Sequence, residues 1–236
     1  ARIFAPLHVN AFLDAAPPAL VQGRRVPRPP PLLRPALRGL NHALSRAAIR
    51  RFRPDLVHET YYHTRSTAPA GVPVVLTVHD LIHERFPSEF PAYDRLLAAK
   101  RRAIARAARV ICISEQTRRD LLNCYPVPPE RVSVVPLGAA APLPADAAAF
   151  AQIAAAVGGA PFLLYVGHRR GYKNFSALRE AYAGSAVLRG SVRLLCVGGD
   201  ALSRAELAAL RALGIAGRVT RLSGSDALLG AAYRRA

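Results

Sequence analysis

The run Leu164-Tyr165-Val166-Gly167-His168-Arg169-Arg170-Gly171-Tyr172-Lys173-Asn174-Phe175 carries the strongest chemical signal in this sequence. A strand-like apolar stretch leads into a glycine, then a loop with three cations and a second glycine, then a helix opening at about Asn174. Glycine lets the backbone approach a ligand closely. A helix N-terminus offers unpaired N–H groups and the positive end of its dipole. With Arg169, Arg170 and Lys173 adding mobile positive charge, the combination suits a diphosphate. The run is neither a P-loop nor a dinucleotide fingerprint, since it fits neither G-x-x-x-x-G-K-[ST] nor G-x-G-x-x-G. A basic turn in an Arg-rich chain would have the same composition. Favouring the ligand, position 173 keeps a lysine in a chain whose 33 Lys and Arg residues include only one other, Lys100.

Two further groupings follow apolar, strand-like runs. In Thr77-Val78-His79-Asp80-Leu81-Ile82-His83-Glu84, His79 and Asp80 fall at the carboxyl end of the run. A histidine there can hydrogen-bond a substrate hydroxyl or phosphate oxygen, and it titrates near neutral pH. No further ligand group joins this cluster at metal-site spacing, so no metal is expected, and His83 and Glu84 read as surface polar residues. In His58-Glu59-Thr60-Tyr61-Tyr62-His63, Glu59 and Tyr61 combine polar and aromatic character suited to a sugar or an amphipathic acceptor. A turn with its Tyr rings packed on the core fits that pattern equally. The nucleophile elbow G-x-S-x-G does not occur. Cys112 and Cys196 lie within strand patterns and Cys124 ends a helix, too scattered for a disulfide framework or a zinc site.

The elements that must position these groups alternate. Strands are expected over 1–7, 56–59, 73–80, 109–113, 132–136, 162–166, 192–197 and 219–222. Helices are expected over 36–53, 92–107, after the capping Ser114, and over 174–183, 203–213 and 226–235. Such alternation means βαβ units, parallel sheets and an α/β fold. The segment 16–35 is Pro-rich and reads as irregular, and the Ala/Pro stretch 139–149 reads as a linker between a lobe at 1–138 and one at 150–236. Ligands of open parallel sheets bind outside the carboxyl ends of the strands. That rule selects His58-Glu59, His79-Asp80, Ser114-Glu115, Gly138, Gly167 to Arg170, Gly198-Gly199-Asp200 and Ser223-Gly224.

Composition narrows the class. The 236 residues are 51% hydrophobic and 20% charged, which excludes a wholly disordered chain. No apolar run approaches the ~18–20 residues that span a bilayer, and no secretory signal is visible, so a cytoplasmic setting is the default. There is no Met and the chain opens directly in a strand, as a piece cut from something longer would. The net charge of +18 comes almost wholly from arginine. An Ala/Arg/Pro-rich chain poor in lysine is what GC-rich coding DNA produces, which weakens the charge as a sign of nucleic acid, and no nucleic-acid-binding motif is present. The 36–53 helix places Leu37, Leu40, Leu44 and Ala48 on one face with its arginines largely off it. With Lys100-Arg101-Arg102 it supports an alternative reading, a basic binding module for anionic lipid or another polyanion, without catalysis.

Taken in order, Thr77 to Glu84, then Val110-Ile111-Cys112-Ile113-Ser114-Glu115-Gln116-Thr117, then Val134-Val135-Pro136-Leu137-Gly138, then Tyr165 to Phe175 resembles the retaining GT-B glycosyltransferases of family 4. These are the group-1 glycosyltransferases of bacterial polysaccharide synthesis, and the likeness runs over essentially the whole chain. His58-Glu59-Thr60-Tyr61-Tyr62 is similar to a mannosyltransferase-like branch. The resemblance implies two Rossmann-like lobes flanking a cleft. A nucleotide-sugar donor such as GDP- or UDP-hexose would sit in the second lobe, and a glycan or lipid-linked acceptor in the first. It implies no cofactor and no metal, and a cytoplasmic enzyme able to work peripherally at the inner face of the membrane. Carried over residue by residue, Lys173 matches the diphosphate lysine and His79 the catalytic histidine that contacts the transferred sugar. The paired arginine of the family usually follows the glycine directly; His168 stands there, so Arg169 and then Arg170 are the candidates. Gly167, Ser223 and Gly224 complete the donor side, and Glu59, Tyr61 and Asp80 the acceptor side. Family members have a further βα unit of roughly 40 residues in front and a later paired-glutamate motif, E-x7-E. Neither is in this sequence, so the resemblance implies truncation at both ends and an incomplete second lobe.

Overall fold

Short β-branched runs bounded by proline, glycine and polar residues become strands here, and the longer periodic stretches between them become helices. The computed structural model describes residues 1–90, 92–138 and 142–236. They divide into two compact units, Ala1–Leu137 and Gly138–Ala236. The first unit contains β1 (Ile3–His8), β2 (Val21–Arg25), α1 (Arg34–Phe52), β3 (Val57–Glu59), β4 (Val74–Val78), α2 (Ile82–Arg85), α3 (Asp94–Arg106), β5 (Arg109–Cys112), α4 (Glu115–Cys124) and β6 (Val132–Val134). The second contains α5 (Ala147–Val157), β7 (Phe162–Val166), α6 (Phe175–Gly184), α7 (Ala186–Ser191), β8 (Arg193–Val197), α8 (Arg204–Ala212), β9 (Val219–Leu222) and α9 (Asp226–Arg235). The α/β expectation holds.

Among the described residues every strand pair is parallel. The sheets are β1-β2, β3-β4-β5-β6 and β7-β8-β9, each running in chain order. Parallel strands covered on both faces need continuous apolar runs. Leu76, Val78, Val110 and Cys112 are fully buried, packed by Ala103 and Ile104 of α3 and Leu121 of α4. In the second unit Leu195 and Val197 face Ile153 and Val157 of α5 and Leu228, Ala231 and Ala232 of α9, while Leu194 and Cys196 face Phe175, Tyr182 and Leu210. Burial pushes the Cys112 and Cys196 thiols up to about 11, whereas Cys124 is exposed.

Four expectations need correction. The segment 16–35 is not all irregular: Val21–Arg25 pairs with β1, its Val-Gln-Gly-Arg-Arg composition disguising a mostly exposed strand. The linker drawn over 139–149 runs into α5, because Asp146 caps that helix by accepting from the Ala149 N–H at 2.7 Å; residues 139–141 lie outside the described residues. An alanine-rich run read as linker is also the best helix former. In α1, Leu40 and Leu44 are 50% and 41% exposed, and the buried position is Ile49. Lys100 is not on a basic surface but fully buried. Among the described residues no helix is long and apolar enough to cross a membrane.

Gly230 in α9 lies so close to the chain at 143–144 that an added Cβ would stand 2.1 Å from the Pro144 carbonyl oxygen, while one at Gly39 in α1 would meet nothing within 4 Å. Gly230→Ala should therefore cost about 1–3 kcal/mol of stability. Gly39→Ala should add about 0.5–1 kcal/mol by restoring a good helix former. Urea denaturation followed by circular dichroism checks both.

Candidate functional site

β3 and β4 pair in parallel with Glu59 in register with Leu76, so β3 ends two residues short of Val78, the end of β4. Glu59 is turned inward and 5% exposed. Its Oε1 accepts from the Ser66 hydroxyl at 2.9 Å and the Thr67 N–H at 3.0 Å, and its Oε2 from Arg106 at 2.6 Å. Burial pushes this carboxyl upward, but the bonds from Arg106, Thr67 and Ser66 outweigh it and hold the pKa below the ordinary value. Expected on the acceptor side, Glu59 instead anchors the 60–67 loop, and Arg106 ties that loop again through the His63 carbonyl at 2.7 Å.

Tyr61 is 51% exposed, with its ring 4.8 Å from that of the buried Tyr62. Burial and the nearby Asp80 carboxylate raise its pKa. The His79 ring lies against the same loop, Nε2 being 3.1 Å from the Thr60 carbonyl oxygen. Asp80 is exposed, its carboxylate accepting from the Ile82 N–H at 3.4 Å. Tyr61, His79 and Asp80 thus share one corner of the first unit. Beneath it lie residues that sequence reasoning misassigned. Lys100 pairs with Glu84 at 2.9 Å, and Glu84 also accepts from the Tyr125 hydroxyl at 2.5 Å. Their one sequence signal was the rarity of lysine.

In the second unit, β7 and β8 both end at glycines in left-handed or extended positive-φ conformations: Gly167 at 113°, Gly198 at 85° and Gly199 at 63°. The loops nearly touch, since a Cβ on Gly199 would stand 2.7 Å from the Gly167 carbonyl oxygen. Arg169, expected at the donor, is 9% exposed and held inside this corner. Its Nε pairs with Glu206 at 2.8 Å and one terminal nitrogen donates to the Asp200 and Ala201 carbonyls at 2.7 and 3.3 Å. Glu206 also closes a capping box with Ser203 at the start of α8. Burial pushes its carboxyl up, and the Arg169 and Ser203 bonds pull it below the ordinary range. The S-x-x-E spacing of Ser203 and Glu206 is the sequence signature of that box.

Arg170 is mostly exposed and pairs with Asp200 at 3.0 Å. Lys173 ends a short 3-10 turn, Gly171–Lys173, with its Nζ 5.0 Å from the Tyr172 ring centre. It is exposed and makes no ion pair among the described residues. Asn174 then takes a left-handed conformation (φ 51°), and among the described residues no side chain caps the first N–H groups of α6. Ser223 and Gly224 are exposed after β9, where Arg221 donates to the Gly199 carbonyl. Gly167, Arg169, Arg170 and the 198–201 loop are therefore brought together. Among the described residues no group of three or more His, Cys, Asp and Glu side chains could hold a metal ion.

Comparison with known proteins agrees with this architecture. The family described as Glycosyltransferase Family 4 matches residues 2–140. No curated protein matches in sequence. Among solved structures, WaaG, a glycosyltransferase involved in lipopolysaccharide biosynthesis, superimposes with TM-score 0.64 at 20% identity over 94% of this chain and 62% of its own. HepE of Anabaena, solved with UDP and glucose, gives 0.57 at 17% identity over 89% of this chain and 58% of its own. A glycosyltransferase of Rickettsia africae gives 0.57 at 13% identity over 98% and 62%. The chain thus spans about three fifths of the length of these structures.

Because Glu59 titrates below its ordinary value when folded, it stabilises the fold above the usual carboxylate range, and that contribution is lost as pH falls through the depressed pKa. Glu59→Gln should cost on the order of 2–3 kcal/mol near neutral pH, leaving Arg106 without its carboxylate. The difference from the parent should shrink below about pH 4, as measured by denaturant titrations across pH.

Proposed function

Because this chain belongs to glycosyltransferase family 4 and has the GT-B fold, we propose that it is part of a retaining transferase. The enzyme moves a hexose, mannose-like, from a UDP- or GDP-sugar to a glycan or lipid-linked acceptor in polysaccharide synthesis. The observation that carries the reading is Lys173: an exposed ammonium beside the uncapped start of α6, reached by a glycine-hinged turn. Breaking the glycosidic bond loads negative charge on the departing diphosphate. Fixed cations and helix N–H groups that meet this charge stabilise the transition state more than the ground state. Lys173 and Arg170 supply the cations, with Arg169 bracing the loop that presents them. Gly167 gives the backbone room, and the Ser223-Gly224 turn lines the same strand ends. With protein cations and the helix end in that role, the reaction needs no metal.

His79 is the catalytic residue facing the transferred sugar, and Tyr61 and Asp80 take the acceptor. A half-exposed ring can stack on a sugar face and an exposed carboxylate can accept from its hydroxyls. The lobe at 1–138 is the acceptor lobe, and 150–236 is the first part of the donor lobe. The enzyme works in the cytoplasm.

The first helix supports peripheral work at an anionic membrane. Leu33, Leu40 and Leu44 are 53%, 50% and 41% exposed on α1 and the turn before it, among the exposed Arg34, Arg38, Arg50 and Arg51. Exposed leucines amid arginines are what an interfacial helix presents to lipid. Without donor binding, the same helix would make the chain the basic binding module described above.

Lys173→Ala should weaken binding of UDP-glucose or GDP-mannose, whichever the chain takes, by about tenfold or more, measured by calorimetry. It should leave salt-sensitive adsorption to phosphatidylserine vesicles unchanged. Unchanged nucleotide affinity would remove Lys173 from the donor site. Leu40→Asp with Leu44→Asp should do the reverse, abolishing vesicle adsorption while sparing nucleotide affinity.

A further inference from the structure

The peptide at His79–Asp80 is gripped from three sides by side chains of three different segments. The His79 N–H donates to the Tyr62 hydroxyl at 3.4 Å, and the His79 carbonyl accepts from the Thr117 hydroxyl at 3.4 Å. The Asp80 carbonyl accepts from Lys100 Nζ at 3.1 Å. Of these, Lys100 is the costly one, because a buried ammonium forfeits its hydration and must recover it from partners. Its side chain is 1% exposed. One N–H goes to the Asp80 carbonyl and another to Glu84 at 2.9 Å, and the charge lies 5.1 Å from the Tyr62 ring centre.

Stability alone does not account for such a group. Replacing a buried ion pair by apolar side chains is often neutral or stabilising. Nor is a generic cation wanted, since a chain with only two lysines among its 33 basic residues has kept one here. An ammonium is compact, with three donors free to rotate onto a carbonyl, a carboxylate and a ring face; a planar guanidinium carries five in a rigid fork.

We propose that Lys100 is a positioning residue: its buried ammonium, backed by Glu84 and Tyr125, fixes the backbone after β4 so that the His79 ring and the Asp80 carboxylate are presented at one angle. This rests on the reading of His79 and Asp80 as residues that face the sugars. Lys100 touches no substrate. Its effect passes through the Asp80 carbonyl, and a displacement of about 1 Å at a reacting group can lower turnover by as much as 100-fold.

The test compares Lys100→Met, Lys100→Arg and the charge-free pair Lys100→Met with Glu84→Gln, which keeps an acceptor for the Tyr125 hydroxyl. Amide exchange of the 77–82 segment and release of UDP from UDP-glucose or GDP from GDP-mannose are both measured on the full chain. Lys100→Met should speed exchange in 77–82 by about tenfold and lower kcat by roughly 10- to 100-fold with KM for the donor unchanged. Lys100→Arg should not rescue either. The paired variant should regain melting temperature yet keep fast exchange and low kcat. If recovery of stability also restores exchange and kcat, Lys100 is only a core cation and the proposal fails. Should Lys100→Met not fold, Lys100→Arg carries the test: parent-like exchange over 77–82 together with parent-like kcat would overturn the proposal. If the parent chain neither binds nor cleaves either nucleotide sugar, the transferase reading fails instead, while the exchange data still decide whether Lys100 holds the turn.

Discussion

Because β7 and β8 pair in parallel from Phe162 opposite Arg193 to Val166 opposite Val197, both strands end at the same level and must leave the sheet together. That geometry gathers loops from distant parts of the sequence at one edge, and it crowds them. Glycine stands at 167 and 198 because the backbone takes a positive φ there, and at 199 also because a side chain would collide with the Gly167 carbonyl. At β3 and β4 the ends are offset by two residues, and the chain leaving β3 at Thr60 meets His79 just past the end of β4. In each unit the chemistry-bearing groups are assembled by strand register first and by their own interactions second.

Crowded loops then need holding, and one device recurs. A cation bonded to a carboxylate also donates to a loop carbonyl behind a strand end. Arg106 joins Glu59 to His63, Lys100 joins Glu84 to Asp80, and Arg169 joins Glu206 to Asp200. Arg221 reaches the Gly199 carbonyl in the same corner as Arg169. Carbonyls in such turns have no ladder partner, and leaving them unpaired when buried is expensive. With 15 acidic residues against 33 basic ones, the chain places several of its scarce carboxylates at these joints.

This explains what could be read from the sequence and what could not. The βαβ rhythm, the strand-end positions of His79 and Lys173, and the helix after Asn174 follow from local periodicity and turn chemistry. Whether a charged residue faces out is decided by partners far along the chain. Glu59 meets Arg106, Arg169 meets Glu206 and Lys100 meets Glu84 across separations of 47, 37 and 16 residues. Nothing local distinguished the bracing Arg169 from the exposed Arg170 beside it. Strand β2 was hidden because an exposed strand carries no apolar alternation, and α5 because alanine is both a helix former and common linker filler. On α1 the apolar stripe was visible, but which part of it would be covered depends on packing that periodicity does not encode.

Burial of two of the three cysteines has a practical side. Cys112 and Cys196 sit within central strands with thiols that resist ionising, so a maleimide at neutral pH will find few thiolates there. Cys124 is exposed at the end of α4, next in sequence to Tyr125, whose hydroxyl meets Glu84. A fluorophore placed on the native chain, with no cysteine added or removed, would attach at Cys124 and report from the edge of the Lys100 network.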